Sequence, residues 1–551
     1  MIIKTKRKHH KLDEPILHEF HKRPVTRREF LGAGLVSGGA MVMGNSLLMS
    51  LASNPAHAAT FESCGLNVGG AGKIPFIAFD LGGGANIAGS NVLVGGPQGQ
   101  LDLLSTAGYN KMGLPGDVIP GQTETAPTTT SNGDHTDTSL GLAFHSDSAF
   151  LRGIRAVTSA ETRLNINGCV IPARSDNDTG NNPHNPMYGI RKATGAKGEL
   201  LSLIGSRNSD SGGRSMAPAS MIDLEFRPTK IDRFGDVNGL VDTGGLAELL
   251  PSAEAASNVM EAVERISRAK LGIESGAGSV NTTADIQHNV HCGYLKTTDV
   301  IKQFGEPGSL NPLGDADLVN LFGDTGTLNV DGVTASLDNG YFQKVASVMK
   351  LVIDTNAAAG TIEQGGYDYH DGTRATGEIR DLRAGIGMGM CLEFAAKKGV
   401  PIMLYVFSDG SVASNGRIDD SINGRGKGEW TGDNSSTAAS FFLVYNPGER
   451  PVLMGESDLE RAQHQQLGHF SAAGSVVTSG TTPGSNSVNS LVEMVVLNYM
   501  ALHQDNVTSD DLKEALRNPD EAQGSHSLGN DVARLTAFRK IVDGKINPST
   551  A

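Results

Sequence analysis

Short unbroken apolar runs alternate along the chain with segments whose apolar residues recur every three or four positions. Unbroken apolar runs of this kind are typical of strands that are buried on both faces. Such strands are predicted at residues 73–80, 400–407 and 440–445. Recurrence every three or four residues predicts amphipathic helices. The helices are predicted at residues 252–271, 342–352, 374–398 and 488–503.

The order of these elements indicates the fold class. The helix predicted at 374–398 ends in a basic turn and Gly399, which are typical C-terminal signals, and a buried strand follows directly. Helix, short turn and buried strand in succession predict an α/β domain with a mostly parallel central sheet and helices on both faces. The segment from about 205 to 340 has more loop and helix pattern than strand pattern, and we interpret it as an insertion. Two long polar loops, 120–139 and 175–186, are candidates for function.

The first 58 residues have the pattern of an export signal. Arg27-Arg28 is followed by a weakly apolar, glycine-rich stretch at 32–51 and then by Ala56-His57-Ala58. This pattern predicts a twin-arginine signal that is cleaved after Ala58. The alternative is a retained membrane anchor, since the stretch approaches the roughly 20 residues that span a bilayer. We therefore predict a periplasmic or secreted protein that engages the twin-arginine export machinery, keeps no membrane span after cleavage and folds as one α/β domain over 59–551.

The charge balance and the cysteine count exclude two classes of protein. The 551 residues include 46 basic and 60 acidic residues, a net charge of −14. Residues 1–58 hold nine basic and four acidic residues, so 59–551 keeps 37 basic and 56 acidic residues, a net charge of −19. Non-specific binding of nucleic acid depends on Lys and Arg neutralising phosphates, and nucleic acid is therefore not an expected partner. Four cysteines are too few for a disulfide scaffold.

Acidic residues and a histidine follow the predicted strands. Asp80 ends the first strand and Asp409 lies two residues after the second, at the strand ends where open α/β sheets bind ligands. In the segment G-G-Y-D-Y-H, Asp368 and His370 are two residues apart. In an extended loop their side chains project to the same side, an arrangement that suits a metal ion. The alternative is a polar turn in which the histidine is only hydrogen-bonded.

Two further segments carry weaker signals. In the loop 175–186, Thr179 and His184 are candidates for a catalytic pair of a nucleophile and its activating or metal-binding partner, and the alternative is a loop without chemistry. Gly82-Gly83-Gly84 follows the first strand and invites a dinucleotide-binding interpretation. Ile87 stands where the third glycine of that fingerprint is required, which argues against it.

Four segments resemble the motifs of the domain-of-unknown-function 1501 family. They are F-D-L-G-G-G-A-N at 79–86, L-A-F-H-S-D-S-A-F-L at 142–151, G-G-Y-D-Y-H at 365–370 and V-F-S-D-G at 406–410. That family is exported by the twin-arginine route and is related to the alkaline phosphatase and sulfatase superfamily. The resemblance spans most of the mature chain and implies an alkaline-phosphatase-like sandwich. In active relatives, two metal ions handle a phosphate or sulfate ester.

The resemblance also implies roles for individual residues. The family's G-G-[FW]-D-x-H motif is matched through Asp368 and His370, which would hold a divalent metal ion such as zinc, manganese or calcium. Asp409, Asp80 and Asp433 are the further metal candidates. The metal would polarise the ester. It would also lower the pKa of the nucleophile, which would be either the Thr179 hydroxyl or a water molecule. We match His184 to the histidine of the family's S-H-F segment.

The chain also departs from the family. Asn86 stands where the first loop usually ends in Asp, and Asn434 replaces the histidine of the family's D-H-G segment. Gly410 follows Asp409 where the family has Phe-Gly-Arg. Two functions therefore stay open. One is an exported metal-dependent hydrolase of a phosphate, sulfate or related ester on a small molecule or polymer. The other is a non-catalytic envelope or secreted protein that uses the same fold for binding or assembly.

Overall fold

The computed structural model describes most of the chain that follows the predicted export signal. It describes residues 73–124, 133–175, 182, 184–194, 200–240, 258–259, 262–263, 265–266, 310–370, 372–479, 482–518 and 521–542. The chain divides into two compact units, one of Gly69–Gly239 with Leu310–Ala551 and one of Met1–Val68 with Leu240–Ser309. The helices and strands given below belong to the first unit. The signal at 1–58 lies outside the described residues, and the insertion at 205–340 stays a prediction.

The first unit alternates strands and helices along the chain. The strands are β1 (Phe76–Gly82), β2 (Thr136–Leu140), β3 (Leu142–His145), β4 (Ile166–Pro172), β5 (Leu201–Gly205), β6 (Thr229–Lys230), β7 (Thr327–Val330), β8 (Val333–Ser336), β9 (Ala357–Gly365), β10 (Ile402–Phe407), β11 (Val412–Asp419), β12 (Lys427–Asp433) and β13 (Ala439–Tyr445). The helices are α1 (Thr106–Lys111), α2 (Ala149–Val157), α3 (Ala160–Leu164), α4 (Met187–Thr194), α5 (Phe234–Gly239), α6 (Ala316–Val319), α7 (Gly340–Ile353), α8 (Ala375–Lys398), α9 (Asp458–Gln465), α10 (Val488–Ala501) and α11 (Ser509–Leu516).

The centre of this unit is a seven-stranded sheet with the strand order β4-β13-β10-β1-β9-β5-β6. β1 pairs in parallel with β9 and β10, and β5 pairs in parallel with β6 and β9. β13 runs antiparallel to both of its neighbours, β10 and β4. The sheet is therefore mostly parallel, which confirms the predicted α/β class with its parallel centre.

Helices cover both faces of the sheet because the central strands are apolar on both sides. All seven residues of β1 are buried. Phe76 and Ala78 belong to the core that also contains Val492 and Val495 of α10 and residues of α4 and α11. On the other face, α7 and α8 lie against the sheet, and Gly387 of α8 lies close to the ring of Phe79. Each central strand thus has a helix layer on either side, as continuous apolar runs require.

Most of the predicted elements are present. β1, β10 and β13 lie within or overlap the three predicted strands, and α7, α8 and α10 match three of the predicted helices. Gly399 caps α8 with a left-handed φ of +66°. The six described residues within the helix predicted at 252–271 are helical.

One prediction was wrong in part. The segment 120–139 was expected to be a loop, but β2 begins within it at Thr136. The polar residues of β2 are held in strand conformation by antiparallel pairing with β3, which a local sequence pattern does not reveal. Within the described residues, no helix has the combined length and apolar character that crossing a bilayer requires.

Candidate functional site

The predicted acids lie at the carboxyl ends of three neighbouring strands. Asp80 is in the last part of β1, which lies between β9 and β10. Asp409 follows β10 by two residues, and Asp368 and His370 lie in the loop after β9. The parallel pairing of these strands therefore brings the strand-end acids to one edge of the sheet.

The loop after β1 is wedged between the loops that follow β9 and β10. The backbone amide of Gly83 donates a hydrogen bond of 2.7 Å to Oδ1 of Asp409. A Cβ at Gly83 would lie 2.7 Å from the backbone nitrogen of Asp368, and the φ of Gly83 is +118°. Both the close approach and the left-handed conformation require glycine here. Gly83 thus fixes the spacing between the Asp368 and Asp409 loops.

Ser408, which follows β10, forms hydrogen bonds with the loop after β1. Its hydroxyl donates to the carbonyl of Leu81 at 2.6 Å and accepts from the amide of Ala85 at 2.8 Å. Ser408 was not among the predicted site residues. Its position directly before Asp409, at the end of an apolar strand, is the signal that would have found it.

Asp80 is fully buried, and both of its carboxylate oxygens accept hydrogen bonds. Oδ2 accepts from the backbone amides of Arg214 at 2.6 Å and Ser215 at 2.8 Å, and Oδ1 accepts from the Ser215 hydroxyl at 2.9 Å. Burial, and then the charge of nearby Asp409, raise the pKa of Asp80 to about 7 against the opposing effect of the Ser215 hydrogen bonds. The carboxyl group of Asp80 therefore holds the loop that follows β5.

That loop, residues 206–215, was not predicted to take part in the site. A Cβ at Gly213 would overlap the carboxyl group of Asp80, so glycine is needed for the loop to approach. The hydroxyl of Ser211 donates to the carbonyl of Ser215 inside the same loop. The pair Gly212-Gly213 is the sequence signal for this close approach, but only the strand order shows what the loop approaches.

His370, Asp368 and Asp433 form the exposed part of the site. Nε2 of His370 lies 2.7 Å from Oδ1 of Asp368 and 3.7 Å from Oδ1 of Asp433. The three side chains are 40%, 64% and 46% exposed, respectively. Among the residues that the structure describes, no group of three or more His, Cys, Asp or Glu side chains is arranged to hold a metal ion. The described donor set therefore does not fit the implied two-metal centre.

The two asparagines at which the chain departs from the family are used locally. Oδ1 of Asn434 accepts hydrogen bonds from the amide of Ser436 at 3.0 Å and from its hydroxyl at 2.7 Å, which caps the short 3-10 helix Ser435–Thr437. Oδ1 of Asn86 accepts a hydrogen bond from the hydroxyl of Ser90. The backbone amide of Asn86 donates to the hydroxyl of Tyr369 at 3.3 Å. Both asparagine carbonyls thus shape turns.

His184 is buried against the end of β10. Its ring stacks on Phe407 with the centroids 5.8 Å apart, and its Nε2 lies 3.2 Å from the Ser175 hydroxyl. Burial lowers the pKa of His184 to about 3, so the imidazole is neutral at physiological pH. Asn182 links this pair to the site, since its Nδ2 donates to the Ser175 hydroxyl at 2.6 Å and to the carbonyl of Asp409 at 2.9 Å. Thr179, the predicted catalytic partner of His184, lies outside the described residues.

Three of the four segments that carry the family resemblance form these loops. They are residues 79–86, 365–370 and 406–410. No protein-family model and no curated protein matches this chain. The resemblance therefore rests on the motifs themselves.

Proposed function

We propose that this protein is an exported protein of alkaline-phosphatase-like fold that works by binding or assembly at the envelope and does not hydrolyse an ester. One observation carries the proposal. The buried carboxyl group of Asp80, at the strand end where a metal ligand is expected, receives three hydrogen bonds from Arg214 and Ser215. Its oxygens are thus turned towards a loop of the protein itself.

The neighbouring positions support the same conclusion. Oδ1 of Asp409 accepts the amide of Gly83, and Asn434 caps a helical turn at the position of the family's histidine. An imidazole is a far better ligand for zinc than an asparagine amide. These side chains hold the loops at the edge of the sheet in place. Fixed loops of this kind can form a binding surface.

The experiment is a hydrolysis assay with the mature protein, residues 59–551. p-Nitrophenyl phosphate and p-nitrophenyl sulfate are incubated with the protein and added zinc, manganese or calcium. We expect no release of nitrophenol above the rate with metal alone. Metal-dependent turnover that disappears in the double variant Asp368→Ala/His370→Ala would contradict the proposal.

The second candidate is the metal-dependent hydrolase, which the exposed cluster of Asp368, His370 and Asp433 favours. These side chains are partly exposed, and Nε2 of His370 lies 2.7 Å from Asp368 and 3.7 Å from Asp433. In this candidate these side chains would have to rearrange to hold a metal ion, because the described residues do not form a metal site as they stand. Asp409 and Asp80 would be the further ligands. Zinc or manganese would then supply the Lewis acid for ester cleavage. The same assay decides between the two candidates.

A further inference from the structure

A polar pocket of about 530 Å³ opens beside the predicted site, at the carboxyl end of β9. The last residue of β6, two residues that follow it, the start of α7 and one residue of α8 complete its wall. Volumes of this order suit ligands the size of a monosaccharide or disaccharide. The pocket contains none of the residues that were predicted to bind metal.

The pocket is basic although the protein is acidic. Its charged lining residues are the basic Lys230, Arg233, Lys344 and Arg383 and the acidic Asp232 and Glu363. The basic residues thus outnumber the acidic ones by two in a chain whose net charge is −14. A concave basic surface of this kind attracts anions.

The acidic residue at the base of the pocket is already neutralised. Nζ of Lys344 lies 3.1 Å from a carboxylate oxygen of Glu363, and Nη1 of Arg207 lies 3.3 Å from the other. Arg214 adds a third cation at 3.7 Å. One carboxylate is therefore shared by three cations, of which Lys344 lines the pocket. Lys230 is paired with Asp232 at 2.9 Å and Arg233 with Asp236 at 3.3 Å, so the surplus positive charge lies around Glu363 and on Arg383.

Two groups in the wall have unused hydrogen-bonding capacity. The Nε–H of Arg383 is buried without a hydrogen-bond partner, and so is Oε1 of Gln364, a residue that is only 4% exposed. Nε2 of Gln364 is used, since it donates to the Tyr367 hydroxyl at 2.9 Å and to the carbonyl of Arg380 at 2.8 Å. A ligand that matches this wall carries an anionic group for Arg383 and a hydroxyl donor for Gln364.

The start of α7 adds to the attraction for an anion. α7 has 14 residues and begins at Gly340, which lines the pocket. The first turn of a helix has unpaired amides and a partial positive charge. Asn339 caps only the amide of Tyr341.

We propose that this pocket binds an acidic saccharide, with its anionic group on Arg383, Lys344 and Arg233 and a sugar hydroxyl on Gln364. The anionic group is a carboxylate, a phosphate or a sulfate. This inference rests on the proposed function, because it names the ligand class of a protein that binds without hydrolysis.

The experiment is isothermal titration calorimetry of the mature protein with galacturonate, glucose 6-phosphate, glucose 6-sulfate and neutral glucose. We expect at least one of the three anionic sugars to bind with a Kd below about 1 mM and to bind more weakly as salt is added, whereas glucose does not bind. Comparison of the three shows which anionic group is preferred.

Variants locate the binding. Arg383→Gln is expected to weaken it about tenfold, and Arg233→Gln, whose side chain is 69% exposed, about threefold. The matched control is Arg417→Gln, which removes an arginine that is 76% exposed on β11. Arg233→Gln keeps the test valid if Arg383→Gln does not fold.

Two results would overturn the inference. One is the absence of binding by all three anionic sugars, and the other is binding that both pocket variants leave unchanged. Release of phosphate or sulfate during the titration would instead contradict the proposed function, while the pocket would still stand if Arg383→Gln weakened the binding.

Discussion

The backbone amide of Gly83 donates a 2.7 Å hydrogen bond to the carboxylate of Asp409. This bond joins the ends of two strands that are more than 300 residues apart in sequence, since the partners are separated by 326 positions. A carboxylate that accepts a backbone amide in this way is used to position a loop. Asp80 likewise accepts the backbone amide of Ser215. Both acids therefore position loops at the same edge of the sheet.

Gly83→Ala is expected to destabilise the protein by about 2 kcal/mol or more, because the added methyl group would meet the Asp368 backbone and the positive φ would be strained. The matched control is Gly332→Ala. Gly332 also has a positive φ, +86°, but no atom lies within 4 Å of its Cβ position. Chemical denaturation of both variants separates the two effects, and equal losses would show that close approach at Gly83 is unimportant.

Asp80→Asn is expected to be tolerated, whereas Asp80→Ala is expected to cost about 2–4 kcal/mol. An asparagine carbonyl can accept the amides of Arg214 and Ser215, and its amide can donate to the Ser215 hydroxyl. Alanine would leave all three donors without their partner. Urea denaturation at pH 7 measures both changes, and equal destabilisation by the two variants would contradict this account.

The same pair of proteins tests the pKa of Asp80. Burial and Asp409 raise this pKa from 3.8 to about 7, so the folded protein holds the proton more tightly than the unfolded chain. The stability of the wild type relative to Asp80→Asn should be greatest below about pH 4 and should fall as the pH rises through about 7, by up to about 4 kcal/mol. The matched control is Asp338→Asn, which makes the same substitution at an exposed position. A pH-independent difference would rule out the raised pKa.

Lys427→Met is expected to destabilise the protein by about 1.5–3 kcal/mol, because it removes a buried charge-assisted hydrogen bond to Glu378. The loss stays below that of an unpaired buried charge, since Glu378 keeps Arg374 and Arg152 as partners and Asp147 keeps Arg425. Lys427 is fully buried, with its Nζ 2.9 Å from Glu378 and 3.2 Å from Asp147. The control is Lys513→Met on α11, whose side chain is 40% exposed and pairs with an exposed aspartate. That change should cost less than about 1 kcal/mol. Thermal denaturation of the two variants gives the comparison.

His184→Phe should make the protein less sensitive to acid. Burial lowers the pKa of His184 to about 3, from 6.5. The stability that comes from keeping it neutral is fully present above about pH 6.5 and is lost as the pH falls towards 3. The wild type should therefore lose about 3 kcal/mol more than the variant between pH 7 and pH 4. An equal loss in both proteins would place the imidazole in contact with solvent.

The central strands could be predicted from the sequence, but one of their neighbours could not. β1 and β10 are unbroken apolar runs, whereas β9 reads A-A-A-G-T-I-E-Q-G and has few of the β-branched residues that mark strands. It forms a strand because it pairs with β1 along all seven residues from Phe76 to Gly82. Tertiary pairing here decides a conformation that local propensity does not.

The candidate site could also be predicted only in part from the sequence. Asp80 and Asp409 were expected at one edge because each lies at the end of an apolar strand, and adjacent parallel strands end together. The contact between Asp80 and Ser215 depends on the order β1-β9-β5. That order is set by long-range packing, so the role of the 206–215 loop could not be seen in the sequence.

The most direct test of the central claim is the metal content of the mature protein, purified from the exported fraction without chelators. Because the acids at the sheet edge hold loops, we predict less than about 0.1 equivalent of zinc, manganese, calcium or iron, and the same value in Asp368→Ala/His370→Ala. One or more equivalents of a metal in the wild type, lost in the double variant, would contradict the account.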